Sequence, residues 1–192
     1  MAKPNLINSP HIRTLETTDL FHLYERIYSM TSQPSAAITI CANCTTQDCE
    51  LSEGGEVAIL LPDEHKFIYS RLAKIDKAVS MENVKLLSIC NGLCPFLKGT
   101  MCSIHSDRPF DCRSYPIVPR FGTDGTVEFT LSTICPHRAF VTESFVATML
   151  RSWSMLFPVL DKGWRAQYNS VQPELEPLPA RFYHLVSQLT SP

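Results

Sequence analysis

Four thiols crowd the stretch CNGLCPFLKGTMCSIHSDRPFDCRSYP: Cys90, Cys94, Cys102 and Cys112. Upstream, CANCTTQDCE adds Cys41, Cys44 and Cys49, and Cys135 stands alone before Pro136. The eight therefore fall as C-x2-C-x4-C, then C-x3-C, then three single residues. Two thiolates separated by two or three residues in a turn can chelate one ion, because the reversal brings both sulfurs to the same side. Thiolate sets select zinc, iron–sulfur clusters or copper(I) over magnesium or calcium. Spacing does not choose among them. Zinc would take two sites of four cysteines each, or three cysteines with His105 or His137. Iron–sulfur chemistry would take four thiolates per cluster. Cys94-Pro95 and Cys135-Pro136 are similar to the Cys-Pro end of ferredoxin runs, although the spacing fits neither ferredoxin pattern.

Other readings of the same residues stand beside these. Cys41 and Cys44 have the spacing of a thioredoxin-type redox pair, but they lie in a polar loop with no preceding strand and helix start. One or two thiols, Cys49 or Cys90 at the group edges, could be inert buried cysteines. Arg108 and Arg113 stand between ligand candidates, where they would offset the negative charge of a thiolate site and donate hydrogen bonds to sulfur. Alternatively they pair at the surface with Asp107 and Asp111. His105 and His137 each lie within three residues of a cysteine and are either ligands or hydrogen-bonded turn residues.

The compartment decides between metal and disulfides. The N-terminal MAKPNLINSPHIRTLETTDL has no apolar leader-like run, and the longest aliphatic run, VAILL, is too short to span a bilayer. The expectation is a soluble, unexported, cytoplasmic protein, in which clustered cysteines are metal ligands or redox groups more often than disulfides. Export would make four disulfides the natural reading. A net charge of −2 leaves no broad basic surface for phosphates, so neither nucleic acid nor membrane is an expected partner.

The elements that would position the thiols follow from periodicity. Residues 1–16 carry Pro4 and Pro10 without a clear period and read as an extended arm. Leu20, Leu23, Tyr24, Ile27 and Tyr28 recur at helical spacing behind Thr18 as N-cap, which predicts a helix over about 18–30. EVAILLPDEHKFIYSRLAKI reads as a short apolar segment and then a helix opening at Pro62, with Asp63 and Glu64 in its first turn. NVKLLSI is a strand candidate. RSYPIVPRF and VEFTLS read as two extended segments that would make a hairpin around GTDGT, with Pro116 and Pro119 demoting the first to an edge or irregular strand. Val141, Phe145, Met149, Trp153 and Phe157 step by four along a core-facing helix, which Pro158 should break before another runs to about Tyr168. VQPELEPLPA reads as a proline-rich linker and RFYHLVSQL as a last short helix.

The string from Cys94 to Pro116 resembles the YkgJ-type cysteine-cluster family, a zinc- or iron-chelating CxxCxxCC domain. The matching positions are Cys41 and Cys44; then Cys94, Phe96 and Leu97; Cys102, Ile104 and His105; Arg108 and Pro109; Cys112, Arg113, Tyr115 and Pro116; and finally Cys135. The likeness covers about residues 41–138, and VAILLPDE looks like the segment that follows the first cysteines in many members. It departs in the first group, where Cys49 stands alone in place of adjacent cysteines. The resemblance implies metal binding by these cysteines. A relative in the wider group, flagellin lysine N-methylase, looks like an iron–sulfur enzyme that uses S-adenosylmethionine, but this chain has only 7 glycines and no recognisable loop for that cofactor.

The expected fold is α+β: a small cysteine-rich metal-binding core with a short β-hairpin, packed against N- and C-terminal helices. The expected organisation is an arm and helix over 1–35, a cysteine-cluster domain over 36–138 and a helical segment over 139–192. Cys41, Cys44, Cys49, Cys90, Cys94, Cys102, Cys112 and Cys135 are the candidate metal ligands, with Arg108 and Arg113 against the cofactor. The cofactor is an iron–sulfur cluster, slightly favoured, or zinc. The function classes are redox or metal handling or an accessory role, a protein-modifying enzyme acting on a protein substrate, and a structural zinc module for a protein partner.

Overall fold

The computed structural model describes residues 6–8, 15–32, 58–71, 78–81, 84–87, 94, 96–98, 101–136, 138–172 and 174–190. Cys41, Cys44, Cys49, Cys90 and His137 lie outside the described residues.

The apolar residues of VEFTLS and IVPRF need partners for both their side chains and their backbone groups. β7 (Ile117–Phe121) and β8 (Thr126–Ser132) supply them to each other as an antiparallel hairpin, with Ile117 opposite Leu131 and Phe121 opposite Val127. Gly125 sits at φ 83° in the turn, where a Cβ would be strained. Asp124 Oδ1 closes the turn by accepting from Thr126 N at 3.0 Å. Pro119 is tolerated because β7 is an edge strand, paired among the described residues only with β8.

The free edge of β8 also needs hydrogen bonds. It finds them in two short segments whose sequences carry no strand signal. β1 (Leu6–Asn8), from the expected arm, pairs antiparallel with Thr126, Val127 and Glu128. β9 (Leu175–Pro177), from the expected proline-rich linker, pairs with Thr130, Leu131 and Ser132. β8 is thus the central strand, held by segments from both ends of the chain. A second antiparallel sheet orders β2 (Ile59–Leu60), β4 (Val84–Leu87) and β3 (Ala78–Met81) as β2-β4-β3. β5 (Leu97–Lys98) and β6 (Met101–Cys102) form a separate two-stranded hairpin.

Among the described residues, six α-helices complete a mixed α+β fold. α1 (Thr17–Thr31) runs close to the expected bounds and buries Leu20, Tyr24, Ile27 and Tyr28, but its N-cap position is Glu16 rather than Thr18. α2 (Glu64–Arg71) starts two residues later than Pro62, because Asp63 takes φ 57°, a left-handed conformation that no right-handed helix contains. α3 (Phe110–Ser114) is a single turn inside the cysteine-rich stretch. α4 (Glu143–Leu156) buries Phe145, Met149 and Trp153 as the four-residue period predicts, and Thr142 caps it by accepting from Phe145 N at 3.2 Å. Pro158 falls in a 3-10 turn, Phe157–Val159, after which α5 (Lys162–Ser170) begins behind Asp161. α6 (Tyr183–Thr190) ends the described chain. Aromatic rings join these helices to one another and to the sheet: Phe110 of α3 meets Trp153 of α4 edge-on at 4.9 Å, and Phe121 of β7 meets Tyr168 of α5 edge-on at 5.8 Å. Among the described residues, no helix is long and apolar enough to cross a membrane.

Candidate functional site

The β5–β6 hairpin holds two of the cysteines at its base. Leu97 N donates to Cys94 O at 3.0 Å, Ser103 N donates to Phe96 O at 2.7 Å, and Cys102 stands opposite Leu97. The chain then makes a 3-10 turn over His105–Asp107 and enters α3 through Pro109, which places Cys112 in the middle of that helix. Burial pushes the Cys112 thiol well above its ordinary value; Asp111 adds to the rise, Arg108 opposes it, and the charges of Cys94 and Cys102 reach it as well. Cys94 and Cys102, distant from Cys112 in sequence, thus lie within electrostatic reach of it. Cys135 follows β8, and its carbonyl accepts from Arg138 N at 3.2 Å and from Arg138 Nη1 at 3.1 Å. Three residues before it, Ser132 N donates to Pro116 O at 2.9 Å, which ties the start of the Cys135 segment to the turn after α3.

No family model, curated protein or solved structure matches the chain. The chemistry of this chain is therefore read from its own residues. Among the described residues, no group of three or more His, Cys, Asp and Glu side chains is placed to hold a metal ion. Half of the candidate ligands, Cys41, Cys44, Cys49 and Cys90, lie outside those residues.

The two arginines, alike in sequence, have different surroundings. Arg113 is buried and lies over the Tyr28 ring, 4.0 Å from its centroid. Its Nε donates to Arg108 O at 2.9 Å, its Nη1 to Ser32 Oγ at 3.1 Å and Thr31 Oγ1 at 3.3 Å, and its Nη2 to Ser106 O. It is a clamp between α3, the preceding turn and the end of α1. Arg108 donates from Nη1 to His105 Nδ1 at 3.1 Å, while its Nε is buried without a hydrogen-bond acceptor among the described residues. Because a guanidinium can only donate, His105 Nδ1 accepts, which puts the proton of a neutral ring on Nε2. Desolvation, then Arg108 and Arg113, push the His105 pKa below its usual value, in keeping with a neutral ring. The aspartates are occupied elsewhere. Asp107 pairs with Arg71 at 3.0 Å, and Asp111 accepts from Ile59 N and Tyr168 Oη, each at 3.0 Å. The alternative of surface pairs between these arginines and Asp107 or Asp111 is not what the fold forms.

Sequence reasoning missed two carboxyls. Glu64, expected only as a first-turn acid, is fully buried. Its Oε1 accepts from Tyr28 Oη and from Phe110 N, both at 2.7 Å, and its Oε2 from Leu61 N at 2.9 Å. Desolvation dominates those three bonds and raises its pKa to about 7. Asp111 is raised to about 6, again first by desolvation, with the Ile59 and Tyr168 bonds opposing. The signal that could have flagged Glu64 is its place three residues after the end of the apolar VAILL run, where an acid has little water to face.

Proposed function

We propose that this chain is a metal-binding protein of the YkgJ-type cysteine-cluster kind, coordinating an iron–sulfur cluster or zinc through Cys41, Cys44, Cys49, Cys90, Cys94, Cys102, Cys112 and Cys135. The observation that carries the reading is the surroundings of Cys112: Cys94 and Cys102 are within electrostatic reach of its sulfur, as is Arg108, whose Nε is buried with no acceptor among the described residues. A buried cationic N–H left without a partner is costly, and a thiolate or sulfide would supply the acceptor it lacks. Arg108 is the arginine that fits a role against the metal site. Arg113 fits a structural one, because its hydrogen bonds are already made.

The residues fit thiolate chemistry in another respect. Cys112 keeps its proton in the metal-free protein because of burial, and a metal ion would replace that proton and relieve the cost of the charge. An iron–sulfur cluster would supply one-electron transfer, and zinc would supply a structural cross-link; in either case the protein contributes the α3 turn and the β5–β6 hairpin that present the sulfurs. A redox, metal-handling or accessory role in the reducing cytoplasm belongs to the same proposal.

Metal and acid-labile sulfide analysis of protein purified without oxygen, with its visible spectrum, tests it. Iron with sulfide and broad visible absorption supports the cluster form, and stoichiometric zinc without sulfide supports the zinc form. Protein that folds normally with neither sinks the proposal.

A further inference from the structure

One side chain outside the cysteine set governs where Cys112 sits. The Glu64 carboxylate gathers donors from three segments: Tyr28 Oη of α1, Leu61 N of the turn before α2, and Phe110 N, the first amide of α3. Tyr28 carries the effect further, since its ring lies beneath the Arg113 guanidinium and Arg113 is the residue after Cys112. Arg113 in turn holds Thr31 and Ser32 at the end of α1. Other ties on α3 include the local turns, Arg113 N to Pro109 O and Tyr115 N to Asp111 O, the Arg113 bonds to Arg108 O and Ser106 O, the Asp111 bonds to β2 and α5, and the Phe110 ring against Trp153 of α4. A one-turn helix has little intrinsic stability, so its position depends on such tertiary anchors.

We propose that Glu64 is a positioning residue for Cys112: its carboxylate holds α3 shut against α1 and the turn before α2, and removing it opens α3 locally while the sheet stays intact. The consequence for the metal site, that whatever Cys112 ligates is then released more readily, rests on the metal-binding reading above; the local opening does not.

The test is amide hydrogen exchange on the full-length protein as purified, comparing wild type, Glu64→Ala and Glu64→Gln, with Val146→Ala in α4 as a destabilising control. Exchange in residues 109–115 of Glu64→Ala is expected to quicken about tenfold or more, the scale of one lost buried hydrogen bond, while the amides of β8 keep their wild-type rate. Gln retains one carbonyl acceptor for Tyr28 and Phe110 and should restore part of the protection. In Val146→Ala, any change should spread over α3 and β8 together. Overturning results are unchanged exchange at 109–115 in Glu64→Ala, or acceleration there that β8 matches, which would make Glu64 an ordinary stability residue. Should Glu64→Ala fail to fold, Tyr28→Phe removes one of the three donors with little change of shape and should show the same local pattern more weakly; uniform or absent acceleration there overturns the proposal equally. A parallel arm follows metal loss to a chelator. Faster loss from Glu64→Gln than from wild type supports the link to the site, and equal rates break it. Wild-type protein that holds no metal sinks the metal reading, and the exchange pattern then judges the positioning role alone.

Discussion

Arg113 lies 4.0 Å above the ring of Tyr28, and the hydroxyl of that same ring donates to Glu64 at 2.7 Å. A cation, a ring and a buried carboxylate are thereby stacked in sequence across α1, α2 and α3. Neither charge faces the other directly; the tyrosine mediates between them.

The planar fork of Arg113 explains its identity. Lysine cannot reach Ser106 O, Arg108 O, Thr31 and Ser32 at once or stack its head flat on a ring. Arg113→Lys should therefore cost about 2 kcal/mol from lost hydrogen bonds and cation–π contact, read as a lower midpoint in denaturant with unchanged slope. A variant as stable as wild type would show that the clamp contributes nothing.

Glu64 gives the fold a pH dependence of definite sign. Its pKa is raised from 4.5 to about 7 in the folded chain, so between those values the folded state holds a proton that the unfolded state has lost. Its stabilisation is therefore full below about pH 4.5 and is lost as pH rises through about 7. The difference in unfolding free energy between wild type and Glu64→Gln should fall by on the order of 3 kcal/mol over that range. Denaturant titrations of both proteins at several pH values measure it. A difference independent of pH would contradict the buried carboxyl.

Cys112 carries its proton at neutral pH because burial opposes the thiolate. Adding zinc to reduced, metal-free protein should release protons into weakly buffered solution, and Cys112→Ser should release fewer and bind less metal. Binding with no acidification would mean that Cys112 is not a ligand.

Asp161 marks a simpler dependence. Its Oδ1 accepts from Trp164 N at 2.8 Å at the start of α5, the helix whose Tyr168 reaches Asp111. Asp161→Ala should cost about 1 kcal/mol, the usual value of such a cap, and a thermal melt will show it.

Much of the scaffold could be read from the residues. The period of Phe145, Met149 and Trp153 specifies one buried helical face, and the alternation of Val127, Phe129 and Leu131 specifies a strand, because in both cases many residues repeat one signal. β1 and β9 were not legible. Each has three residues, one of them Pro177, and they are strands because the open edge of β8 has hydrogen bonds to give. The start of α2 was misplaced for a local reason, the left-handed turn at Asp63.

At the candidate site, the types and spacing of the cysteines point to thiolate chemistry, since that depends on sulfur and on short turns between ligands. Which arginine is left with an unsatisfied N–H, which acid is buried and what holds α3 in place depended on contacts between segments distant in the chain. Arg108 and Arg113 differ by their neighbours alone, and Glu64 becomes an anchor only when Tyr28, Leu61 and Phe110 converge on it. Sequence by itself determined the principal helices and the hairpin and suggested the donor chemistry; the tertiary structure decided the charge states and the positions, because desolvation and hydrogen-bond partners exist only once the chain has closed on itself.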